Sequence, residues 1–220
     1  VTFQRFVSAA RKHLVCQRMT LSADAETPVE VRGGIDGDVR TNGYLHFTDA
    51  SVERPADNEV ELTVRTDRDE TVTARARLLA DGAAWAFAAP PRGGELSARL
   101  TVPAGGTLTV EKRSALATSR DLQPTTGAAE LDAVDGATFD ELHAEHADVW
   151  ARRWEAGDVV IEGDDWSQLA MRTSLYHLLR CHVPDDPRVA IDAKGAAGEA
   201  YFGRFFWDTE MNLLPFFLYT

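Results

Sequence analysis

The chain has few of the residues that mark several common protein classes. Only two cysteines, Cys16 and Cys181, are present, and no CxxC pair occurs, so neither a structural zinc site nor a disulfide-rich secreted domain is indicated. No apolar run approaches the roughly 20 residues that span a bilayer. These absences predict a protein of a reduced compartment that does not cross a membrane, and we expect a cytoplasmic location.

Lysine is scarce as well, because the chain holds 3 Lys against 20 Arg, while 35 acidic residues bring the net charge to −12. This negative charge would repel a phosphate backbone, so nucleic acid is not an expected partner. Abundant Asp with little Lys suits a protein kept soluble in concentrated salt, but a GC-rich genome alone would also favour Arg over Lys. Both explanations of the composition stay open.

Apolar and polar residues alternate from about residue 27 to 113, as in Val60, Leu62 and Val64. A period of two predicts strands. Pairs such as Asp36-Gly37 and Asp81-Gly82 separate the runs and favour tight turns. Short strands joined by turns predict an antiparallel meander, which must cover its apolar face with a second sheet, and therefore a β-sandwich.

Residues 114 to 137 show neither strand nor helix periodicity, and this predicts a connection that crosses the surface. Thr138 and Glu141 match a capping box, so a helix is predicted from about residue 138 to 155. The second half of the chain is therefore expected to be helical.

A short strand-like piece, Val159 to Ile161, precedes Asp164 and Asp165, either of which can cap a second helix that ends near Cys181. A glycine-bearing loop then leads to a third helical pattern at about 209 to 219.

The stretch GEAYFGRFFWDTEMNLLPFF, residues 198 to 217, crowds aromatic rings around three carboxylates, Glu199, Asp208 and Glu210. Flat rings beside carboxylates suit a sugar, because a pyranose offers an apolar face to a ring and paired hydroxyls to a carboxylate. Trp207 and Asp208 could supply both functions. On spacing alone the alternative is a helix whose apolar residues fill a core, with Asp208 acting only as a cap.

Two further clusters indicate no site by themselves. His143 and His146, with Glu145 between them, are i, i+3 residues on an amphipathic helix, a pattern more typical of a helix face than of metal ligands, and no metal is predicted. Cys181-His182 before Asp185 fits a helix end and turn better than a nucleophile.

Residues 191 to 217, IDAKGAAGEAYFGRFFWDTEMNLLPFF, resemble glycoside hydrolase family 65, the disaccharide phosphorylases of the maltose, kojibiose and trehalose type. Two upstream stretches, WARRWEAGDVVIEGDDWSQLAMRTSLYHLL and RFVSAARKHLVCQRMT, also resemble the family. The matching positions in the first stretch are Ala193, Lys194, Gly195, Gly198, Glu199, Tyr201, Gly203, Phe206, Trp207, Asp208, Thr209, Glu210, Pro215 and Phe216.

The resemblance implies a β-sandwich in residues 1–113, a linker in 114–163 with its helix at about 138–155, and in 164–220 the start of an (α/α)6 catalytic barrel. Because Val1 is not a Met and Thr220 follows an apolar segment, we expect a fragment of a longer protein. The 220 residues alone are expected to be inactive, and a homodimer of the complete protein is conceivable from the family.

By resemblance, Trp207 and Asp208 bind the non-reducing glucose ring, with Phe206, Arg204 and Tyr201 beside them. Arg204 stands where many members have His, which leaves the particular substrate open. The implied reaction is inverting phosphorolysis of an α-glucoside to β-glucose 1-phosphate, with inorganic phosphate as co-substrate and no other cofactor.

The general-acid Glu of this reaction is expected beyond Thr220, so no catalytic residue is assigned here, and Glu199 and Glu210 are not given that role. The alternatives are a hydrolase of the same family and a non-catalytic carbohydrate-binding module.

Overall fold

The computed structural model describes residues 1–40, 43–183, 185–195, 201 and 204–219. Contacts divide the chain into two compact units, Val1–Ala147 and Asp148–Thr220. The first unit holds two antiparallel sheets and the second is helical.

The strands of the described residues form a six-stranded sheet in the order β1-β2-β9-β6-β5-β4 and a three-stranded sheet in the order β3-β8-β7. Every ladder between these strands is antiparallel. The strand bounds are β1 Thr2–Val7, β2 Leu14–Ser22, β3 Thr27–Asp36, β4 Phe47–Glu53, β5 Glu59–Thr66, β6 Thr71–Leu79, β7 Ala86–Ala88, β8 Gly93–Val102 and β9 Thr107–Thr118.

The two sheets pack face to face and bury the alternating apolar residues between them. Val60 and Leu78 of the large sheet pack with Leu96 of the small one. A Cβ on Gly94 would lie 2.2 Å from the Cγ2 atom of Val60, so glycine is required where β8 approaches β5. The β-sandwich prediction is confirmed.

The large sheet is covered on its other face by helices rather than by solvent. Helix α1, Gly127–Asp132, and the start of α2, Phe139–Gly157, place Leu131 and Phe139 against Leu14 of β2 in one buried cluster. The expectation of a surface connection over residues 114 to 137 is therefore wrong in two places. Residues 114–118 extend β9, and Leu131 is fully buried.

The meander prediction holds only for part of the sheet. Strands β4, β5 and β6 follow one another, but β9 is inserted between β2 and β6. Strands β1 and β2 lie before residue 27 and outside the predicted alternation. The alternation of apolar and polar residues is less regular in β2, which lies between β1 and β9 in the sheet. Polar residues of β2 are partly buried, such as Arg18, whose guanidinium lies 4.2 Å from the Phe139 ring centroid.

Helix α2 begins at the predicted capping box. The Thr138 hydroxyl accepts a hydrogen bond from the Glu141 amide at 3.2 Å, and the Glu141 carboxylate accepts one from the Thr138 amide at 2.8 Å. The hydrogen bonds that the Glu141 carboxylate accepts from the Thr138 amide and hydroxyl lower the pKa of Glu141. The predicted helix at about 138 to 155 is confirmed, with its end at Gly157.

Helix α3, Asp165–Cys181, forms as predicted, with Asp164 as its N-cap. The strand predicted at Val159 to Ile161 does not form. Instead, the Gln168 side-chain amide donates to the Val159 carbonyl and accepts from the Ile161 amide, at 3.0 and 2.6 Å. The side chain thus satisfies the backbone groups that a neighbouring strand would have bonded.

The last described segment begins with a π-helical stretch, Thr209–Leu213, and continues as helix α4, Leu214–Tyr219. This confirms the third helical pattern. In the described part of the chain, no helix combines the length and apolarity needed to cross a membrane.

Candidate functional site

The candidate sugar-binding residues lie together in the segment that leads into the π-helical stretch. Trp207 is 79% exposed, and Arg204, Phe206 and Asp208 are exposed as well. In the part of the chain that the structure describes, the Trp207 ring has no aromatic neighbour. Both members of the Trp207–Asp208 pair are therefore open to a ligand.

Asp208 does not behave as a helix cap. A capping residue has extended backbone angles and accepts amide hydrogen bonds with its side chain. Asp164 does so, with φ −143° and ψ 99° and with hydrogen bonds from the Trp166 and Ser167 amides. Asp208 has helical angles, φ −58° and ψ −34°, and makes no side-chain cap hydrogen bond.

Its carboxylate has no hydrogen-bond or ion-pair partner among the described residues. The explanation of Asp208 as a simple cap is therefore not supported, and its oxygens remain available as acceptors.

The π-helical stretch is a second unusual feature of this segment. Such stretches are rare and are found frequently at functional sites. Here the stretch directly follows Asp208, and the Thr209 amide donates to the Phe206 carbonyl at 3.0 Å. The hydrogen-bond register of the backbone is thus altered immediately next to the Trp207–Asp208 pair.

A preceding loop supports this segment through its backbone. The Ala193 amide donates to the Arg204 carbonyl at 3.3 Å, and the Thr209 hydroxyl donates to the Ile191 carbonyl at 3.4 Å. Gly195 adopts φ +58°, as expected for a glycine at a sharp turn. Three further positions of the motif, Gly198, Glu199 and Gly203, lie outside the described residues.

Tyr201 packs on Phe206 with ring centroids 5.5 Å apart and an interplanar angle of 78°. The Lys194 ammonium lies 5.8 Å from the centroid of the Tyr201 ring. Tyr201 also has φ +62°, the left-handed region. No pattern in the sequence indicates this backbone conformation, because a tyrosine seldom adopts it.

The histidine pair on α2 takes part in packing within the first unit. The His146 Nδ1 accepts a hydrogen bond from the Ala9 amide at 3.1 Å, and both His143 and His146 lie against the Phe6 ring. Glu145 between them pairs with Arg11 at 2.8 Å. Over the described ranges, no three His, Cys, Asp or Glu side chains are grouped so that they could hold a metal ion.

Cys181 ends α3, as predicted. Its single S–H lies within hydrogen-bonding distance of two carbonyl oxygens, those of His177 and Gly195, with Sγ to oxygen distances of 2.8 and 3.2 Å. Desolvation raises the pKa of this thiol, which disfavours the thiolate that a nucleophile requires. The residue thus ties α3 to the loop that supports the candidate site.

Comparisons with known proteins agree with this architecture. Residues 1–153 match the profile of the glycosyl hydrolase family 65, N-terminal domain, and residues 172–220 match that of the family 65 central catalytic domain. The chain therefore belongs to glycosyl hydrolase family 65.

Two curated relatives cover nearly the whole chain. A kojibiose phosphorylase of Halothermothrix orenii is 30% identical over 100% of this chain and 31% of its own length. A 1,2-alpha-glucosylglycerol phosphorylase of Bacillus selenitireducens is 28% identical over 99% of the chain and 28% of its own. The chain thus spans about a third of the length of these relatives.

A solved structure provisionally described as a kojibiose phosphorylase from human microbiome superposes with a TM-score of 0.88 at 22% identity. The superposed region covers 98% of this chain and 29% of the chain in that structure. This similarity shows a shared fold: a β-sandwich followed by the beginning of the helical domain.

Proposed function

We propose that the complete protein cleaves an α-glucoside by inverting phosphorolysis and releases β-glucose 1-phosphate. The observation that carries the proposal is the Trp207–Asp208 pair. An exposed ring lies next to a carboxylate that forms no hydrogen bond or ion pair with any described residue. Relatives named as phosphorylases of kojibiose and of 1,2-alpha-glucosylglycerol support the reaction class.

Trp207 would stack on the apolar face of the glucose ring, and the Asp208 oxygens would accept hydrogen bonds from two of its hydroxyls. Arg204 and Phe206 are exposed at the same segment, and we propose that they line the subsite, with Tyr201 packed against Phe206. An Arg at position 204 brings a guanidinium that donates up to five hydrogen bonds and accepts none, so it would select among the hydroxyls that can accept.

The chemistry needs one general acid. The acid gives its proton to the glycosidic oxygen as the bond from this oxygen to the anomeric carbon breaks, and a phosphate oxygen forms the new bond from the opposite face. Phosphate is already an anionic nucleophile at neutral pH, so no carboxylate base is required. We propose that the acid is a Glu beyond Thr220 and that the reaction uses no cofactor other than phosphate.

The test is to incubate the complete protein with inorganic phosphate and a panel of α-linked glucosides, including kojibiose, nigerose, maltose, trehalose and glucosylglycerol. Phosphate-dependent release of glucose 1-phosphate is expected with at least one of them, as the β anomer by NMR. Release of free glucose without phosphate would instead indicate hydrolysis. If no glucoside is cleaved under either condition, the enzymatic proposal is wrong and a non-catalytic binding module gains support.

A further inference from the structure

The backbone at Tyr201 is unusual in a way that the proposed glucose subsite does not by itself require. Tyr201 has φ +62°, and a bulky residue in the left-handed region costs free energy that the surrounding structure must offset. Such outliers cluster at ligand sites, where the strained conformation aims a side chain.

Contacts with three of the described residues hold Tyr201 in this conformation. The Arg204 amide donates to the Tyr201 carbonyl at 3.0 Å. The Tyr201 ring then meets the Phe206 ring edge to face, an arrangement favoured by the quadrupoles of the two rings. The ammonium of Lys194 lies over the Tyr201 ring at 5.8 Å, close enough for a cation–π attraction.

Phe206 is the residue through which such an effect would reach the site. It immediately precedes Trp207 and Asp208, and its carbonyl accepts the Thr209 amide at 3.0 Å where the π-helical stretch begins. A shift of the Phe206 side chain would therefore displace the backbone that carries the Trp207–Asp208 pair.

We propose that Tyr201 is a positioning residue, which acts on the glucose subsite through Phe206 rather than by touching the sugar. This inference rests on the proposed function. The left-handed backbone turns the Tyr201 ring onto Phe206, and Lys194 backs the ring. Together they hold Trp207 and Asp208 in the geometry that accepts the sugar, since sites depend on neighbours that lock their orientation.

The decisive variant is Tyr201→Asn in the complete protein. Asn removes the ring but tolerates the left-handed region better than most residues, so the backbone conformation at position 201 is kept. We expect kcat/KM for the glucoside to fall about tenfold, because small misplacements at a site cost one to two orders of magnitude. Most of the loss should appear in KM, with the melting temperature unchanged. Tyr201→Phe should recover most of the loss, because it restores the ring.

A double-mutant cycle separates positioning from direct contact. If Tyr201 acts through Phe206, the variant carrying both Tyr201→Asn and Phe206→Leu should lose little more than the worse single variant. If the two losses multiply, Tyr201 contacts the sugar itself and the inference is overturned. Tyr44→Asn, at an exposed tyrosine of the first unit, is the matched control and should leave kcat/KM unchanged.

The same measurements distinguish this inference from the function on which it rests. A wild-type protein that cleaves no glucoside, with phosphate or with water, overturns the proposed function and the inference with it. An active wild type with an unaffected Tyr201→Asn variant overturns only the inference.

Discussion

Two carboxylates, one in each unit of the chain, lie in opposite environments. In the first unit, the Glu59 side chain is only 3% exposed and is paired with both Arg75 and Arg77. In the second unit, Asp208 is exposed, and no described residue bonds its carboxylate. A charge taken out of water must be compensated by the protein, whereas a charge that stays in water needs no partner in the protein and is available to bind a ligand. The first arrangement therefore stabilises the fold, and the second is suited to binding.

The charged cluster around Glu59 also joins the sandwich to the connection that follows it. Arg77 of β6 donates hydrogen bonds to Glu59, to Asp132 at the end of α1 at 2.8 Å, and to Asp135 just after this helix at 2.7 Å. The nearby Arg113 of β9 donates to the Val134 carbonyl at 2.7 Å. These contacts fix α1 on the large sheet and explain why residues after β9 are not a loose connection.

The largest effect on stability is expected from Glu59→Gln in the complete protein. Removing the charge takes away the shared partner of two largely buried guanidinium groups, while Arg75 keeps Glu61 and Arg77 keeps Asp132 and Asp135. The expected cost is therefore that of hydrogen bonds to a charged group, about 1.5 to 3 kcal/mol. Thermal and urea unfolding should show this loss. Glu30→Gln is the matched control, because the Glu30–Arg32 pair is exposed and such pairs contribute about 0 to 1 kcal/mol. Equal effects at the two positions would contradict the assignment of Glu59 as a buried structural charge.

Asp208→Asn should show the reverse pattern, a loss of activity with the fold intact. A hydrogen bond to a charged group contributes about 1.5 to 3 kcal/mol, so kcat/KM should fall roughly ten- to several-hundred-fold. The melting temperature should not change, since Asp208 caps nothing. Asp164→Asn is the control at a true cap, where Asn serves about as well and both quantities should be preserved. An Asp208→Asn enzyme with wild-type kinetics would argue against the sugar site.

Trp207→Ala should weaken binding by a smaller factor. Loss of a stacking surface costs about 0.5 to 1.5 kcal/mol beyond the area lost, which corresponds to a rise in KM of roughly two- to tenfold. Within these 220 residues the ring is 79% exposed, so little change in melting temperature is expected. Calorimetry of glucose binding together with a melting curve is the measurement, and a large drop in melting temperature would show that the ring serves packing instead.

The smallest effect, and one of opposite sign, is expected at Lys112 of the first unit. Its ammonium donates to the Gly34 carbonyl, and burial lowers the pKa of Lys112. The unfolded chain then holds the proton more tightly than the folded one, so this residue destabilises the fold at low pH and less so as pH rises through the folded pKa.

Lys112→Met keeps the length of the side chain and removes the buried charge. It should raise the free energy of unfolding by about 1 kcal/mol at neutral pH. In the alkaline range, the free energy of unfolding should then increase less with pH than it does in the wild type. Lys12→Met, at an exposed lysine, is the control for a general charge effect. A destabilised Lys112→Met protein would mean that its hydrogen bond outweighs the cost of desolvation.

The amino-acid sequence determined the features that depend on local patterns. Alternation from residue 60 to 64 predicted β5, the Thr138–Glu141 spacing predicted the start of α2, and Asp164-Asp165 predicted a cap for α3. The aromatic motif around Trp207 indicated the family and the candidate subsite. The secondary-structure features follow from residues a few positions apart, where side-chain periodicity and capping act directly on the backbone, whereas the family followed from the resemblance of the motif.

The tertiary structure decided what depends on residues distant in the sequence. The insertion of β9 between β2 and β6 and the burial of Leu131 are set by pairing partners far along the chain. Local periodicity carries no information about such partners. Likewise, the difference between Asp164 and Asp208 became visible only from their backbone angles and hydrogen bonds. The different roles of these two residues rest on contacts that one sequence does not specify. The domain limits predicted at 113 and 163 stay predictions, since they too depend on such contacts.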